Sequence, residues 1–409
     1  MKKVNLLWLA LVSMAFTTSC TSYDDTDGDW ERVGVFGGFE RVCPVSFTDP
    51  LNGNVYIGMG YNSSESRPDE LHMRDFWIFN GNEWRRPQGG RNVTVRVSPY
   101  TGRDSVVKAV LTGQDSAVTW TQNTADFPAR GRKGSVAFVL GRKAYVGAGQ
   151  QVVYRGNSEV AYFSDFFVFD LEKEEWEFDD AKGEFTRYSI QEDTGLDGER
   201  CAFAFGVGFS FKGKGYVGTG ELKGGTTSTF FVFDTITKKW TPDNSYPGDD
   251  CKGASILDFG DAVYVCLGEG GSGLSRTVSY LDETGWHKAT SLNPDLPGAW
   301  NEEYDNILRS FAQSFVSDKD PNRHRKIGYI VGGTGSNSDN WQYDRLRDRW
   351  EKTNRFSSNM SSLRVGGVGF SYGGYGYVTL GGSNTTSSSS DRTVWKFYPG
   401  IEAEEWNDY

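Results

Sequence analysis

The chain has 409 residues, 24% charged and 15% aromatic, with a formal net charge of −11. An acidic chain without a basic block excludes the electrostatic footprint of a nucleic-acid binder. Fifty-one glycines, the aromatic content and the lack of any long 3.6-residue hydrophobic period point to an all-β chain of short strands and tight turns.

Residues 1–19 stand apart. Lys2 and Lys3 form a positive start, Val4 to Phe16 is apolar, and Thr17-Thr18-Ser19 are small residues before Cys20. This is a secretory signal pattern, too short to span a membrane. Its cysteine resembles the cleavage point of a bacterial lipoprotein signal, although Thr17 stands where that family usually has Leu. The resemblance implies lipidation of Cys20, with the lipid as the sole membrane contact and each buried methylene contributing about 0.8 kcal/mol. Ordinary secretion with Cys20 incidental is the other reading. Loss of residues 1–19 removes two lysines and moves the formal charge from −11 to −13.

Residues 20–29 are polar and acidic, with nothing to bury, and read as a flexible tether. The run resembles the acidic signal of Bacteroidetes lipoproteins destined for the outer face of the outer membrane, which implies cell-surface exposure. Asp25, Asp27 and Asp29 alternate like the start of a calcium loop, but Trp30 occupies the place that needs Gly. No metal site and no cofactor are expected.

From residue 30 onward one phrase recurs six times: Tyr56-Ile-Gly-Met-Gly60, Tyr145-Val-Gly-Ala-Gly149, Tyr216-Val-Gly-Thr-Gly220, Tyr264-Val-Cys-Leu-Gly268, Tyr329-Ile-Val-Gly-Gly333 and Tyr377-Val-Thr-Leu-Gly-Gly382. An aromatic strand and then a lone Trp follow each, at Trp84, Trp176, Trp240, Trp286, Trp350 and Trp406. In the third repeat, Ala202 to Phe211, Tyr216 to Gly220, Phe230 to Asp234 and a stretch at Trp240 read as four strands. So small a unit cannot close a core alone and must stack with its neighbours. Six such units in a ring make a six-bladed β-propeller over residues 30–409. Glycines belong where backbones approach near the axis, and aromatic residues between the sheets. Either Trp30 or Trp406 can mark the strand that completes the last blade.

The set resembles the Kelch family, whose blades carry a hydrophobic run, paired glycines, a spaced Tyr and a spaced Trp. Phe127-Pro128-Ala129-Arg130 and Tyr216-Val-Gly-Thr-Gly220 are similar to repeats of Kelch-type Bacteroidetes lipoproteins. Cys266 in place of the first glycine, and the adjacent glycines of the fifth and sixth repeats, depart from that pattern.

Residues 85–126 interrupt the series with three strand-like stretches, Val93 to Val97, Val106 to Leu111 and Ala117 to Thr121. They are too apolar for a loop and predict an extended hairpin on the first blade, with a degenerate seventh blade as the competing parse. Cys43, Cys201, Cys251 and Cys266 are even in number, which permits disulfides after export. Cys251 and Cys266 flank one hairpin; buried free thiols fit equally well.

In a propeller the loops joining second to third strands, and those joining blades, share one face around the channel. The residue after each glycine pair is a candidate ligand contact there: Tyr61, Gln150, Glu221, Glu269, Thr334 and Ser383. So is a basic residue near the start of most inner strands, Arg41, Arg130, Arg200, Arg309 and Arg364, with Lys252 in the fourth repeat. Converging arginines can bind a carboxylate or sulfate; each can equally pair with a neighbouring loop and fix blade spacing. Tyr154, Tyr188, Trp300 and Tyr304 on long loops suit stacking on sugar faces, or fold those loops onto the blades.

The leading expectation is a surface-anchored, non-catalytic module that binds a glycan or a neighbouring surface protein, with a structural assembly partner as one alternative. Galactose oxidase shares the architecture but needs two histidines with Tyr on copper, and His72, His287 and His324 fall in different repeats. The six-bladed Kelch sialic-acid epimerases imply the enzymatic alternative. That would be an acidic-sugar epimerase or mutarotase with Glu221 or Glu269 beside Arg200 or Arg309. No phosphate loop, Ser-His-Asp set or zinc motif is present.

Overall fold

The computed structural model describes residues 28–64, 71–96, 119–155, 157–289, 292, 302–335, 339–354, 364–388 and 391–401. Six antiparallel sheets, each with four strands in its main path, are arranged as a six-bladed propeller. Blade 1 comprises Val45–Thr48, Val55–Gly58, Phe76–Phe79 and Trp84–Arg85. Blade 2 comprises Val136–Leu140, Lys143–Gly147, Asp165–Asp170 and Glu175–Trp176. Blade 3 is Val207–Phe211, Lys214–Gly218, Phe230–Asp234 and Lys239–Asp243. Blade 4 is Ser255–Asp258, Val263–Cys266, Val278–Asp282 and Gly285–Lys288. Blade 5 is Gln313–Ser317, Ile327–Val331, Asn340–Asp344 and Arg349–Thr353. Blade 6 takes Val368–Tyr372, Tyr375–Thr379 and Thr393–Tyr398 from the C-terminal repeat and Asp29–Val35 from the start of the fold.

That last strand settles how the ring closes. Asp29–Val35 pairs antiparallel with Thr393–Tyr398, placing Trp30 opposite Phe397. Trp30 is buried, with its ring 4.8 Å from Phe397 and 6.3 Å from Phe315. Trp406 lies outside the described residues, as do Cys20 and the acidic run before Gly28.

The recurring aromatics have a geometric cause. Phe on the first strand of a blade lies directly opposite the Tyr of the recurring phrase on the second, as in Phe47↔Tyr56, Phe138↔Tyr145, Phe209↔Tyr216 and Phe370↔Tyr377. The rings stack 4.9–5.3 Å apart within 11° of parallel, so each pair forms a flat cross-strand plate. The fourth-strand Trp then packs into the preceding blade: Trp176 against Phe76, Trp240 against Phe138 and Phe166, Trp286 against Phe230. Burying such a side chain stabilises by about 1.5–3 kcal/mol. These contacts make the gaps between blades, rather than the blades themselves, the cores of the fold.

The glycine four residues after the Tyr of each phrase has a specific task. Gly60, Gly149, Gly220, Gly268, Gly333 and Gly381 all have φ between 91° and 108°, backbone that only glycine adopts freely. Their amides reach the next blade: Gly60 donates to the Arg132 carbonyl, Gly149 to Phe203, Gly220 to Cys251, Gly268 to Arg309 and Gly381 to Arg41.

A second belt lies closer to the axis. Cys43, Gly134, Phe205, Gly253, Phe311 and Gly366, one per blade, are all left-handed, with φ from 50° to 65°. The amide of each donates to the carbonyl of its counterpart in the preceding blade at 2.7–2.9 Å, and Cys43 to Gly366 closes the circle. Bulky residues and glycines alternate because each side chain lies over a neighbouring glycine. A Cβ on Gly134 would stand 2.4 Å from the Phe205 ring, and one on Gly366 2.6 Å from the Cys43 sulfur. Cys43, Phe205 and Phe311 thereby fill the axis, with the two phenyl rings 5.4 Å apart edge to face.

The interruption after blade 1 forms a hairpin of Asn92–Arg96 paired with Thr119–Asn123; residues 97–118 lie outside the described set. It is fastened to blade 2, where Arg91 holds Asp180 through both guanidinium nitrogens and Thr124 bonds Glu175 and the Trp176 amide. Cys43, Cys201, Cys251 and Cys266 are buried free thiols. Cys266 faces Ser255 in the ladder, so Cys251 is not its cross-strand neighbour.

Candidate functional site

An anion site at the mouth would draw on its arginines. Arg41, Arg309 and Arg364 occupy equivalent places, each immediately before a residue bridged to the mouth position of its own blade. Blade 2 supplies Arg132 there, because the bridge forms from Lys133 to Gln150; Arg130 lies two residues outside the series and is half-buried. All four are sealed, with at most 1% exposure. Arg41 grips the Asp75 carboxylate at 2.7 and 2.9 Å, and Arg132 grips Asp165 at 2.5 and 3.1 Å. Arg364 bonds Asp391 at 2.6 Å and the Thr393 hydroxyl at 2.7 Å. Arg309 donates to the carbonyls of Asn306, Ile307, Gly332 and Asp339, and burial pulls its pKa down to about 10. Burial alone would raise Asp75 and Asp165, but the charge and hydrogen bonds of their arginines outweigh it and hold both carboxyls below the usual range. These groups are clamps between a blade's entry and its third strand, their terminal guanidinium nitrogens bonded within the blade while the Nε of Arg132 and Arg364 are buried without a partner.

Blades 3 and 4 lack the clamp. Phe203 and Cys251 take the arginine's place, and Thr229 and Thr277 take the acid's, judged by the same backbone bond that Asp75 and Asp165 accept. Arg200 sits exposed on the short helix Gly198–Cys201, away from this series.

The residue after each clamp position points the way to the mouth. Tyr61 bridges to Val42, Gln150 to Lys133, Glu221 to Ala204, Glu269 to Lys252, Thr334 to Ser310, and Gly382 to Val365. In blade 6 the left-handed glycine is Gly381, so the second glycine of the pair, Gly382, holds the mouth position and Ser383 is exposed one residue beyond. Five of the six positions therefore carry side chains.

Glu221, Glu269 and Thr334 belong to one polar chain. Lys252 is bound to Glu221 and stands 3.8 Å from Glu269. Glu221 accepts from the Tyr162 hydroxyl at 2.5 Å, and Glu269 accepts from Ser310 at 3.1 Å, which shares a 2.9 Å bond with Thr334. Burial first, then the Glu221 bond, hold the Tyr162 phenol well above its ordinary range. Lys133 sits above the plug, its Nζ 5.0 Å from the Tyr61 ring centre and 5.7 Å from that of Phe205. Gln150 is buried and Tyr61 half-buried. The glutamate pairs with Arg200 or Arg309 do not form: Lys252 is the cation at Glu221, and Arg309 is enclosed among carbonyls.

The loop aromatics are split. Tyr188 lies 5.0 Å from Phe233 and 6.1 Å from Tyr145, folded onto blades 2 and 3. Tyr304 is 5% exposed, and its hydroxyl both donates to the Trp350 carbonyl and accepts from the Trp350 amide. Both are packing residues. Tyr154 is on the strand Gln150–Arg155, opposite Ser158; Trp300 lies outside the described residues. Lys133, Tyr162, Ser310 and His72 belong to the mouth without having been singled out by their residue type. The repeated Lys-Gly at Lys133-Gly134 and Lys252-Gly253 was the signal available for the lysines. Among the described residues no grouping of His, Cys, Asp and Glu could hold a metal ion.

No protein-family model matches this chain, and no curated protein matches it. Solved structures do match its fold. One, titled "Structure of YjhT", aligns with a TM-score of 0.53 over 88% of this chain and 94% of its own, at 14% identity. At that identity the likeness is one of fold, and it places the chain among β-propellers.

Proposed function

We propose that the channel mouth binds a glycan and that the protein is a Kelch-type, non-catalytic binding module, lipid-anchored through Cys20 on the outer membrane and exposed at the cell surface. One observation carries this reading. The sealed arginines leave the half-exposed chain Tyr162–Glu221–Lys252–Glu269 as the accessible polar surface of the mouth, above a floor closed by Phe205 and Phe311. Alternating donors and acceptors over an apolar floor suit hydroxyl groups that donate and accept in turn. A glycan array probed with the full chain and with a Glu221→Gln, Lys252→Met double variant tests it. Signals that vanish in the variant support the reading; an empty array for the intact protein rejects it, and co-purification of a surface protein instead would indicate a protein partner or an assembly role.

The Tyr162 phenol on Glu221 supports a second reading, an acidic-sugar epimerase or mutarotase, because a carboxylate with a phenol at 2.5 Å can pass a proton. Its cation would be Lys252 rather than an arginine. An NMR anomer-exchange rate of sialic acid that the protein leaves unchanged removes this reading.

A further inference from the structure

The two lysines of the mouth are equivalent in the fold and unequal in their company. Lys252 is 27% exposed at its side chain and is neutralised by Glu221 and Glu269. Lys133 is only 3% exposed, and among the described residues no carboxylate lies within ion-pair distance of it. Its one hydrogen bond runs to the Thr385 carbonyl at 2.9 Å, so most of the ammonium's donor capacity is unspent in a buried place. Burial accordingly pulls its pKa down. Glu221 acts on it only at a distance, and a buried cation without a directly paired carboxylate is costly.

His72 stands beside it with the same deficit. It is 2% exposed, and neither ring nitrogen has a hydrogen-bond partner. Its ring is 5.1 Å from that of Tyr61, the same ring that Lys133 overlies, and its backbone bridges to Tyr61. Lys133 is near enough that its charge adds to burial in holding the imidazole neutral. A neutral imidazole still carries one N–H donor. The cover over Lys133 is a small hairpin of blade 6, Gly382–Asn384 with Ser387–Ser388, fastened to blade 1 by hydroxyl and amide bonds between Ser388 and Ser63. Those bonds are exposed and individually weak.

We propose that Lys133 and His72, beside Tyr61, form an anion-binding subsite on the blade 1 to blade 2 side of the mouth, in which an anionic oxygen replaces the Thr385 carbonyl on Lys133. The chemical class is a carboxylate or sulfate group, either borne by the glycan or free in solution. The inference rests on the mouth being the ligand site, and it adds that the ligand's charged group enters on the Lys133 side while its hydroxyls meet Glu221 and Glu269.

Acetate and sulfate titrated into the full chain, followed through the ring resonances of His72, test the subsite without any glycan. The expected result is a saturable shift whose midpoint weakens about tenfold or more in Lys133→Met, the loss of one charge-assisted hydrogen bond, and is unchanged in Lys182→Met, an exposed lysine paired with Asp179 away from the mouth. A linear, unsaturable drift, or an identical midpoint in Lys133→Met, overturns the proposal. Should Lys133→Met not fold, a Thr385 amide shift that saturates in the wild type and is lost in His72→Gln serves in its place. A uronic-acid-terminated oligosaccharide and its carboxyl-reduced counterpart separate the sources. Preference for the acid that disappears in Lys133→Met assigns the group to the glycan; equal binding of both, with anion titration intact, assigns it to a free anion. Anion binding without any glycan binding sinks the glycan reading alone, and glycan binding without anion binding sinks the subsite alone.

Discussion

Blades 1, 2, 5 and 6 build the joint below the mouth with a buried arginine, whereas blades 3 and 4 build the same joint with Phe203 and Cys251. Where the arginine is missing, the acid is missing too: Thr229 and Thr277 stand in for Asp75 and Asp165. Arginine and partner come and go together, which is how a structural pair behaves. The mouth carboxylates show the opposite distribution. Glu221 and Glu269 belong to blades 3 and 4, the two without clamps. Lys133 aside, charge near the axis is thus divided between a sealed set that spaces the blades and an accessible set that can meet a ligand.

This division can be broken most forcefully at a clamp. Asp165→Ala leaves Arg132 buried without its counter-charge and is expected to cost about 3–5 kcal/mol in chemical denaturation. A loss under about 1 kcal/mol would mean that Arg132 is free to serve another partner. Because Asp165 and Asp75 titrate below their unfolded values, the clamps stabilise the protein above the unfolded carboxylate pKa, and that stability is lost as pH falls through the folded one. In the variant the acid limb of the stability profile is expected to flatten.

The axial belt offers the next largest effect. Gly134→Ala places a Cβ 2.4 Å from Phe205 at φ 65°, which combines the left-handed cost of about 1–2 kcal/mol with overpacking of about 1–3 kcal/mol. Gly141, also at positive φ but with open space around it, is expected to show the backbone cost alone when changed to Ala.

His72 sharpens the comparison through pH. Its folded pKa is lowered to about 4 from 6.5, so its neutral form stabilises the fold above 6.5 and the contribution declines as pH falls from 6.5 toward 4. A thermal-melting series against pH is expected to lose that slope in His72→Gln. The smallest effect belongs to Lys252→Met. Its ion pairs are partly exposed, so stability should move by less than about 1 kcal/mol even as Glu221 and Glu269 lose the cation between them.

The ring of blades was legible because every blade must repeat the same packing solution. The phrase Tyr, the left-handed glycine four residues on and the later interblade Trp recur in the same order despite uneven spacing between blades, and a repeated pattern needs only one sequence to be seen. Ring closure was not legible, since Trp30 and Trp406 satisfy the same spacing and only pairing with Thr393–Tyr398 distinguishes them. At the site, Glu221 and Glu269 were legible as variable residues following an invariant glycine. Arg130 was not separable from Arg132, because register rather than residue type decides which one is drawn inward. Tyr188 and Tyr304 show the limit for loops: an aromatic residue among polar neighbours has the same sequence whether its ring faces solvent or Phe233. Lys133 was not singled out, and His72 was weighed only as a copper ligand, because their place at the mouth depends on contacts set by different blades.

The central claim is that the accessible chain at Glu221 and Lys252, and not the arginines, meets the ligand. The glycan array comparing wild type, the Glu221→Gln, Lys252→Met double variant and Arg200→Ala tests it most directly. The account predicts glycan signals in the wild type that disappear in the double variant and persist in Arg200→Ala. An unchanged profile in the double variant, or a profile lost in Arg200→Ala alone, would contradict it.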